Sequence, residues 1–199
     1  MAAGLGTRMR PLTEHWPKPV LPIDGRPVVV TLVHDLAAAG CERIVVVTGH
    51  LAEQVEALLR PLPYEIRFER QPPGLGSADA VLRARARPPY LVVAADNVFG
   101  EGDLARFARE GAGADGAIAL HGDERPPLWL VGERVHGHLD PLPGNPPYEL
   151  QHVFSNAIDA GAEVSAIQIG RTRDLTDPVD LVRENFPYLR HGRRLDGVP

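Results

Sequence analysis

The chain alternates between short, continuously apolar runs and longer segments in which apolar residues recur every three or four positions. Residues 90–95 form such a run, which is typical of a strand buried on both faces of a sheet. Residues 52–59 show the longer spacing, which predicts a helix with one buried face. The same criteria predict helices at 27–39, 52–59, 78–86, 103–109, 149–160 and 178–185, and strands at 43–48, 64–68, 90–95, 116–120, 128–131 and 163–169.

This repeated alternation of strands and helices predicts a layered α/β fold with a mostly parallel sheet. We expect one domain over residues 1–189, followed by a polar tail at 190–199. Three residues precede the first glycine, Gly4, whereas a strand usually has about five. We therefore expect either a very short first strand or a natural chain that begins upstream of Met1.

The composition narrows the class of protein. A net charge of −5 argues against a general nucleic-acid binder, which needs a basic surface to neutralise phosphates. No apolar run approaches the length of a membrane span, about 20 residues, and the N-terminal residues lack the apolar core of a signal peptide. The single cysteine, Cys41, excludes an intrachain disulfide and fits a reducing compartment. We therefore expect a cytoplasmic protein that binds neither nucleic acid nor membranes.

The first candidate site is a glycine loop near the N terminus, Gly4-Leu5-Gly6-Thr7-Arg8. Glycines let the backbone approach a ligand closely, so that successive N–H groups can be directed at phosphate oxygens. Arg8 adds a charge-assisted donor. The loop is not a Walker loop, because no Gly-Lys-Ser/Thr follows. It is not a dinucleotide fingerprint either, because Met9 stands in place of the third glycine.

Lys18 is the second candidate. Of the 21 basic residues all but this one are arginine, and it stands between Pro17 and Pro19. Prolines restrict the backbone on both sides, so the lysine side chain leaves from a stiff segment. Such rigidity suits an ammonium group that must meet developing negative charge at a fixed point. A lysine without a function in a proline-rich turn is the alternative.

Together these segments resemble the signature of the sugar-phosphate nucleotidyltransferases, a family that includes glucose-1-phosphate thymidylyltransferases and uridylyltransferases. The resemblance rests on the order of three runs, Gly4-Leu5-Gly6-Thr7-Arg8, Pro11-Leu12-Thr13 and Pro17-Lys18-Pro19. It implies a Rossmann-like, three-layer α/β fold of the glycosyltransferase-A type with a mostly parallel mixed sheet. It also implies an enzyme that joins a nucleoside triphosphate, dTTP or UTP, to a sugar 1-phosphate and releases pyrophosphate.

By the same resemblance, the glycine loop holds the triphosphate and Lys18 meets the phosphates of both substrates. Arg8 and Lys18 are the expected catalytic residues. The expected nucleotide-binding residues of the loop are Ala3, Gly4, Gly6, Thr7 and Arg8.

Residues 70–80 are similar to the family's base-reading loop, in which Gln71 and Gly76 are expected to contact the nucleobase. A glutamine amide offers one donor and one acceptor side by side, and a uracil or thymine imide presents the complementary pair. Gly76 is expected to let the base lie against the backbone. The alternative is a surface loop that caps the next helix.

Two carboxylates are expected to bind Mg²⁺. Asp96 follows the apolar run at 90–95, and ligands of open α/β sheets bind at the carboxyl ends of strands. Mg²⁺ takes few protein carboxylates and otherwise uses phosphate oxygens and water. The segments around Asp96 and Asp174 resemble the family's metal-binding motifs, although Ala95 replaces a glycine and Thr172 a tryptophan.

The sugar side of the site is the least complete. The resemblance implies that Asn97 and Glu149 lie near the sugar phosphate, but Glu149 could equally be a charge at a helix start. Relatives hold the sugar phosphate with a Glu-Lys-Pro segment, which is absent here because there is no second lysine. The candidates to replace it are Arg125, Arg134 and Arg171.

Three alternatives stay open at the level of sequence. The acceptor could be a sugar phosphate other than glucose 1-phosphate, or a phosphate that is not a sugar. The chain could also be a nucleotide-binding regulatory subunit without activity. A homo-oligomer is compatible with each of these.

Overall fold

The protein is described by a computed structural model, which gives the backbone of residues 1–190 and the side chains of residues 1–186. Its helices are α1 (Val28–Ala38), α2 (Ala52–Leu59), α3 (Gly76–Ala84), α4 (Asp103–Glu110), α5 (Glu133–His136), α6 (Leu150–Asp159) and α7 (Pro178–Arg190). Its strands are β1 (Pro22–Ile23), β2 (Arg26–Pro27), β3 (Arg43–Thr48), β4 (Glu65–Arg70), β5 (Tyr90–Val93), β6 (Asn97–Val98), β7 (Gly116–Leu120), β8 (Leu128–Val131), β9 (Val164–Gln168) and β10 (Arg173–Asp174).

The two N-terminal residues join the main strands into one sheet. β3 pairs with β4, and β5, β8, β7 and β9 form a second group in that order. Met1 and Ala2 lie between the groups. The N–H of Ala2 donates to the Val47 carbonyl at 2.7 Å, and the N–H of Ala95 donates to the Met1 carbonyl at 2.8 Å. Met1 and Ala2 thus bridge the two groups of strands.

The direction of the strands agrees with the sequence prediction. β3 and β4 are parallel, as are β7 and β9. β8 is antiparallel to both of its neighbours, β5 and β7, so β5, β7 and β9 all run in the same direction. The predicted α/β class with a mostly parallel mixed sheet is confirmed.

Helices cover both faces of this sheet. Val92 and Val93, neighbours on β5, belong to different apolar clusters, because successive side chains of a strand point to opposite faces. The cluster of Val93 includes residues of α1, α2 and α4, among them the fully buried Phe107. The cluster of Val92 includes residues of α3, α5 and α6, among them Phe154. The result is the three-layer arrangement that the family resemblance implies.

Several predicted elements differ at their ends. The helix predicted at 78–86 begins at Gly76 and ends at Ala84, because Arg85 takes a left-handed conformation with a φ of 46°. The last helix continues to Arg190 rather than ending at residue 185. The pairs β1–β2 and β6–β10, like the four-residue α5, have no counterpart in the prediction, because such short elements show no periodic pattern.

The division into a domain at 1–189 and a tail at 190–199 stays a prediction, and residues 191–199 lie outside the described residues. In the part of the chain that the structure describes, no helix combines the length and apolar character that crossing a membrane requires.

Candidate active site

A buried threonine holds the glycine loop in one conformation. Gly6 has a φ of 61°, which glycine adopts without steric cost. The hydroxyl of Thr13 donates to the Gly6 carbonyl at 2.8 Å, and a Cβ on Gly6 would lie 2.9 Å from the Thr13 methyl group. Thr13 is only 2% exposed, so it has little room to move aside. The loop is therefore fixed by packing, with Thr7 and Arg8 exposed beside it.

A histidine connects this loop to the end of β3. Nε2 of His50 donates to the Thr13 carbonyl at 2.7 Å, and since a carbonyl only accepts, the ring carries a proton on Nε2. Gly49, just before it, packs against the start of the glycine loop, where an added Cβ would lie 2.7 Å from the Ala3 carbonyl. Sequence reasoning missed His50, because no motif includes it and its partner lies 37 positions away.

Lys18 forms an ion pair with Asp96, which brings together two site candidates that are 78 positions apart. The contact joins Nζ of the lysine to Oδ2 of the aspartate, and the two side chains are 13% and 26% exposed. The second oxygen of Asp96 accepts a hydrogen bond from Nδ2 of Asn97 at 2.8 Å. Protein donors thus engage both oxygens of this carboxylate.

The second carboxylate expected to bind Mg²⁺ lies on β10, the strand that pairs with β6. Asp174 on β10 is paired with Asn97 on β6, the residue that contacts Asp96. The Asp174 side chain is exposed, and its Oδ2 accepts a hydrogen bond from the Thr176 hydroxyl at 2.8 Å. The β6–β10 pair therefore brings the chain after β5 next to the chain after β9.

Gln71 follows β4 and is 9% exposed. Its amide nitrogen, Nε2, donates to the Gly76 carbonyl at 2.8 Å and to Oδ2 of Asp79 at 2.9 Å. Gly76 has a φ of 85°, and a Cβ there would lie 2.4 Å from the Tyr148 carbonyl oxygen. The close approach of the Tyr148 backbone therefore requires glycine at position 76 whether or not a ligand binds there.

Glu149 immediately precedes α6 and accepts a hydrogen bond from the Ser77 hydroxyl at 2.7 Å. The same hydroxyl accepts a hydrogen bond from the N–H of Leu150 at 2.8 Å. Ser77 therefore links the starts of α3 and α6. Glu149 therefore lies at the start of a helix. A charge at a helix start is the alternative to a sugar contact that the sequence leaves open.

These segments surround a cavity of about 520 Å³. The expected site residues that line it are Ala3, Gly4, Gly6, Thr7, Arg8, Lys18, Gln71, Gly76 and Asp96. Three expected site residues, Asn97, Glu149 and Asp174, do not line the cavity. Each is hydrogen-bonded to a residue that does, Asn97 to Asp96, Glu149 to Ser77 and Asp174 to Thr176. Ser77 and Thr176 line the cavity, and sequence reasoning assigned neither of them a role.

The three arginines considered for the acceptor phosphate do not line this cavity. Arg125 lines a separate cavity of about 160 Å³ with Trp129 and Gln151. Arg134 forms an ion pair with Asp115 at 3.1 Å. The cationic residues of the main cavity, among the described residues, are Arg8 and Lys18.

Comparison with known proteins identifies the family. Residues 1–161 match the model of the MobA-like NTP transferase domain. The chain belongs to this family. The prediction of a nucleotidyltransferase of the sugar-phosphate type is thereby confirmed at the level of the family.

Curated relatives differ in nucleotide and acceptor. UTP–glucose-1-phosphate uridylyltransferase AglF of Haloferax volcanii is 26% identical over 100% of this chain and 85% of its own length. The catalytic subunit beta of mannose-1-phosphate guanylyltransferase of Drosophila pseudoobscura pseudoobscura is 28% identical over 98% of this chain, which spans 54% of that protein. The 2-aminoethylphosphonate cytidylyltransferase of Lancefieldella rimae is 56% identical, but over 54 residues, which are 27% of this chain and 22% of the relative.

Solved structures agree on the fold. UDP-glucose pyrophosphorylase from Acinetobacter baumannii superposes with a TM-score of 0.77 at 18% identity, covering 96% of this chain and 93% of that one. A UDP-glucose pyrophosphorylase complexed with UDP-glucose gives 0.79 at 17% identity, covering 96% and 97%. The predicted glycosyltransferase-A type of fold is confirmed.

Proposed function

We propose that this chain transfers a nucleotidyl group from dTTP or UTP to a sugar 1-phosphate and releases pyrophosphate. The observation that carries the proposal is the convergence of the glycine loop, Gln71 and the Lys18–Asp96 pair on one cavity. Backbone N–H groups, two cationic side chains and a carboxylate are the groups that a triphosphate and its counter-ion require.

In the proposed reaction, an oxygen of the acceptor phosphate forms a bond to the α-phosphorus of the nucleotide. The bond from that phosphorus to the oxygen bridging to the β-phosphorus breaks, and this oxygen leaves with its electron pair as part of pyrophosphate. The protein supplies position and charge stabilisation rather than covalent chemistry. Arg8 and the glycine loop bind the leaving pyrophosphate, and Lys18 neutralises charge between the two substrates.

The carboxylates fit a magnesium ion. The β6–β10 pairing places Asp174 opposite Asn97, the neighbour of Asp96, and Mg²⁺ commonly uses one or two protein carboxylates. Over residues 1–186, no group of three or more histidine, cysteine, aspartate or glutamate side chains is suited to a metal, so a site built fully from protein is not supported. When bound by Asp96 and Asp174, Mg²⁺ would neutralise phosphate charge and help to orient the phosphates.

The test is pyrophosphate release with Mg²⁺, for dTTP, UTP, CTP and GTP in turn against several sugar 1-phosphates and 2-aminoethylphosphonate. We expect release that requires both a nucleotide and a sugar 1-phosphate, and that is lost in Asp96→Asn. Nucleotide binding without release for any pair would instead support the regulatory subunit.

A second candidate is a cytidylyltransferase with a phosphonate or other non-sugar acceptor. The 56% identity over 54 residues to 2-aminoethylphosphonate cytidylyltransferase favours it, as does the lack of a second lysine for a sugar phosphate. Release with CTP and 2-aminoethylphosphonate, but not with a sugar 1-phosphate, would establish this candidate and overturn the first.

A further inference from the structure

We propose that Asp79 is a positioning residue that determines which end of the Gln71 amide faces a bound nucleobase. The proposal rests on the function proposed above, in which Gln71 contacts the base. Asp79 lies in the first turn of α3, is 8% exposed, and accepts the hydrogen bond of Gln71 Nε2 on its Oδ2.

The chemistry of the two partners fixes the orientation of the amide. The Gly76 carbonyl and the Asp79 carboxylate are both acceptors, so the NH₂ end of Gln71 must face them. An amide turned the other way would place its oxygen against two acceptors. Both N–H bonds of the Gln71 side-chain amide are thus used within the protein. Across the described residues, its Oε1 has no hydrogen-bond partner.

Arg83 is a second donor to Asp79. Its Nε donates to the same oxygen, Oδ2, at 2.6 Å, and the two residues are one helical turn apart on α3. The Arg83 side chain is 37% exposed and that of Asp79 11% exposed. A chain of contacts therefore runs from the surface through Asp79 to Gln71, which lines the cavity.

This arrangement changes how Gln71 reads a base. The sequence suggests a donor and an acceptor side by side, but the donor half is used by Gly76 and Asp79. The acceptor half is left for the ligand. Uracil and thymine carry a proton on ring nitrogen N3 and can donate to it, whereas the N3 of cytosine is itself an acceptor and its donor is the exocyclic amino group at N4. With Oε1 opposite ring position 3, the fixed amide therefore favours uracil or thymine over cytosine.

The test compares the ratio of kcat/KM for UTP to that for CTP, with one acceptor, in matched variants. Asp79→Leu removes one of the two acceptors that orient Gln71, and we expect the ratio to fall about tenfold, the effect of one misplaced buried hydrogen bond. Arg83→Met breaks the ion pair but leaves the acceptor, so the ratio should stay within about twofold. Asp79→Asn retains an acceptor oxygen and should keep most of the selectivity.

A double-variant cycle separates positioning from a general structural role. In a Gln71→Ala background, Asp79→Leu should cause no further change in the ratio, because the group it acts through is gone. If Asp79→Leu fails to fold by circular dichroism, Asp79→Ala removes the same oxygens with a smaller side chain. An unchanged ratio in the folded variant, or an equal change without Gln71, would overturn the proposal.

Calorimetric affinities of UTP and CTP for the same proteins give the ratio without turnover. Absence of pyrophosphate release then overturns the proposed reaction, while the affinity ratio still decides the role of Asp79. A wild-type protein that binds CTP more tightly than UTP would overturn the role of Asp79, whatever the acceptor proves to be.

Discussion

Lys18, the single lysine of the chain, forms its ion pair with Asp96, the carboxylate that follows β5. The lysine is the first residue of a 3₁₀ turn and is flanked by two buried prolines, and Asn97 donates to the other oxygen of the aspartate. Two groups with opposite charges and different expected partners are thus kept together at one wall of the cavity. In the proposed reaction, the Lys18 ammonium group neutralises phosphate charge and the Asp96 carboxylate binds the metal ion.

Lys18→Ala should reduce turnover by about a hundredfold or more, because a charge directed at the transition state is lost. Lys18→Arg should recover part of the rate, since it keeps the charge but not the compact ammonium group. The measurement is steady-state pyrophosphate release, with thermal unfolding as the control for an intact fold. A near-normal rate in Lys18→Ala would remove this residue from the catalytic machinery.

Substitutions in the glycine loop distinguish a glycine that the fold requires from a glycine that the ligand requires. Gly6→Ala places a Cβ 2.9 Å from the buried Thr13 and forces a φ of 61° on a residue with a side chain. We expect it to cost about 1–2 kcal/mol in the free energy of unfolding and to raise the KM for the nucleotide.

Gly4→Ala is the matched control, because a Cβ there meets nothing within 4 Å. It should leave the melting temperature unchanged and still raise the KM for the nucleotide, since the added group occupies space that the phosphates need. If Gly4→Ala alters neither quantity, the phosphates do not lie against this part of the loop.

The sequence predicted the site best where the chemistry lies within one short segment. The glycine loop and the segment around Lys18 are each contiguous, and both line the cavity. What escaped prediction depends on contacts between distant segments. His50 reaches Thr13 across 37 positions, and Gly76 is constrained by the Tyr148 backbone. Such contacts leave no periodic pattern or motif, so only the fold reveals them.

Gly76→Ala should be among the most destabilising substitutions in the site. The added Cβ would lie 2.4 Å from the Tyr148 carbonyl oxygen and 2.5 Å from its nitrogen, and backbone atoms cannot rotate away as a side chain can. Gly74→Ala is the control, because its φ of 79° imposes similar strain but a Cβ there meets nothing within 4 Å. We expect about 1 kcal/mol for Gly74→Ala and about 3 kcal/mol or more for Gly76→Ala in urea unfolding. Equal losses would show that the loop adjusts.

The stability that Arg173 contributes should depend on pH. Arg173, on β10, bonds Asp24 in the β1–β2 turn and Glu184 on α7. The hydrogen bond from Arg173 lowers the pKa of the Asp24 carboxyl below its usual value of 3.8. A carboxyl with a lowered folded pKa contributes stability fully above the unfolded value and loses it as the pH falls through the folded value.

We therefore expect Arg173→Gln to be less stable than the wild type at pH 6, and the difference to narrow as the pH falls below 3.8. The measurement is the free energy of urea unfolding at a series of pH values. Arg171→Gln, an exposed change two residues away, controls for the loss of a positive charge as such. A difference that stays constant from pH 6 to below 3.8 would mean that Arg173 acts through packing rather than through Asp24.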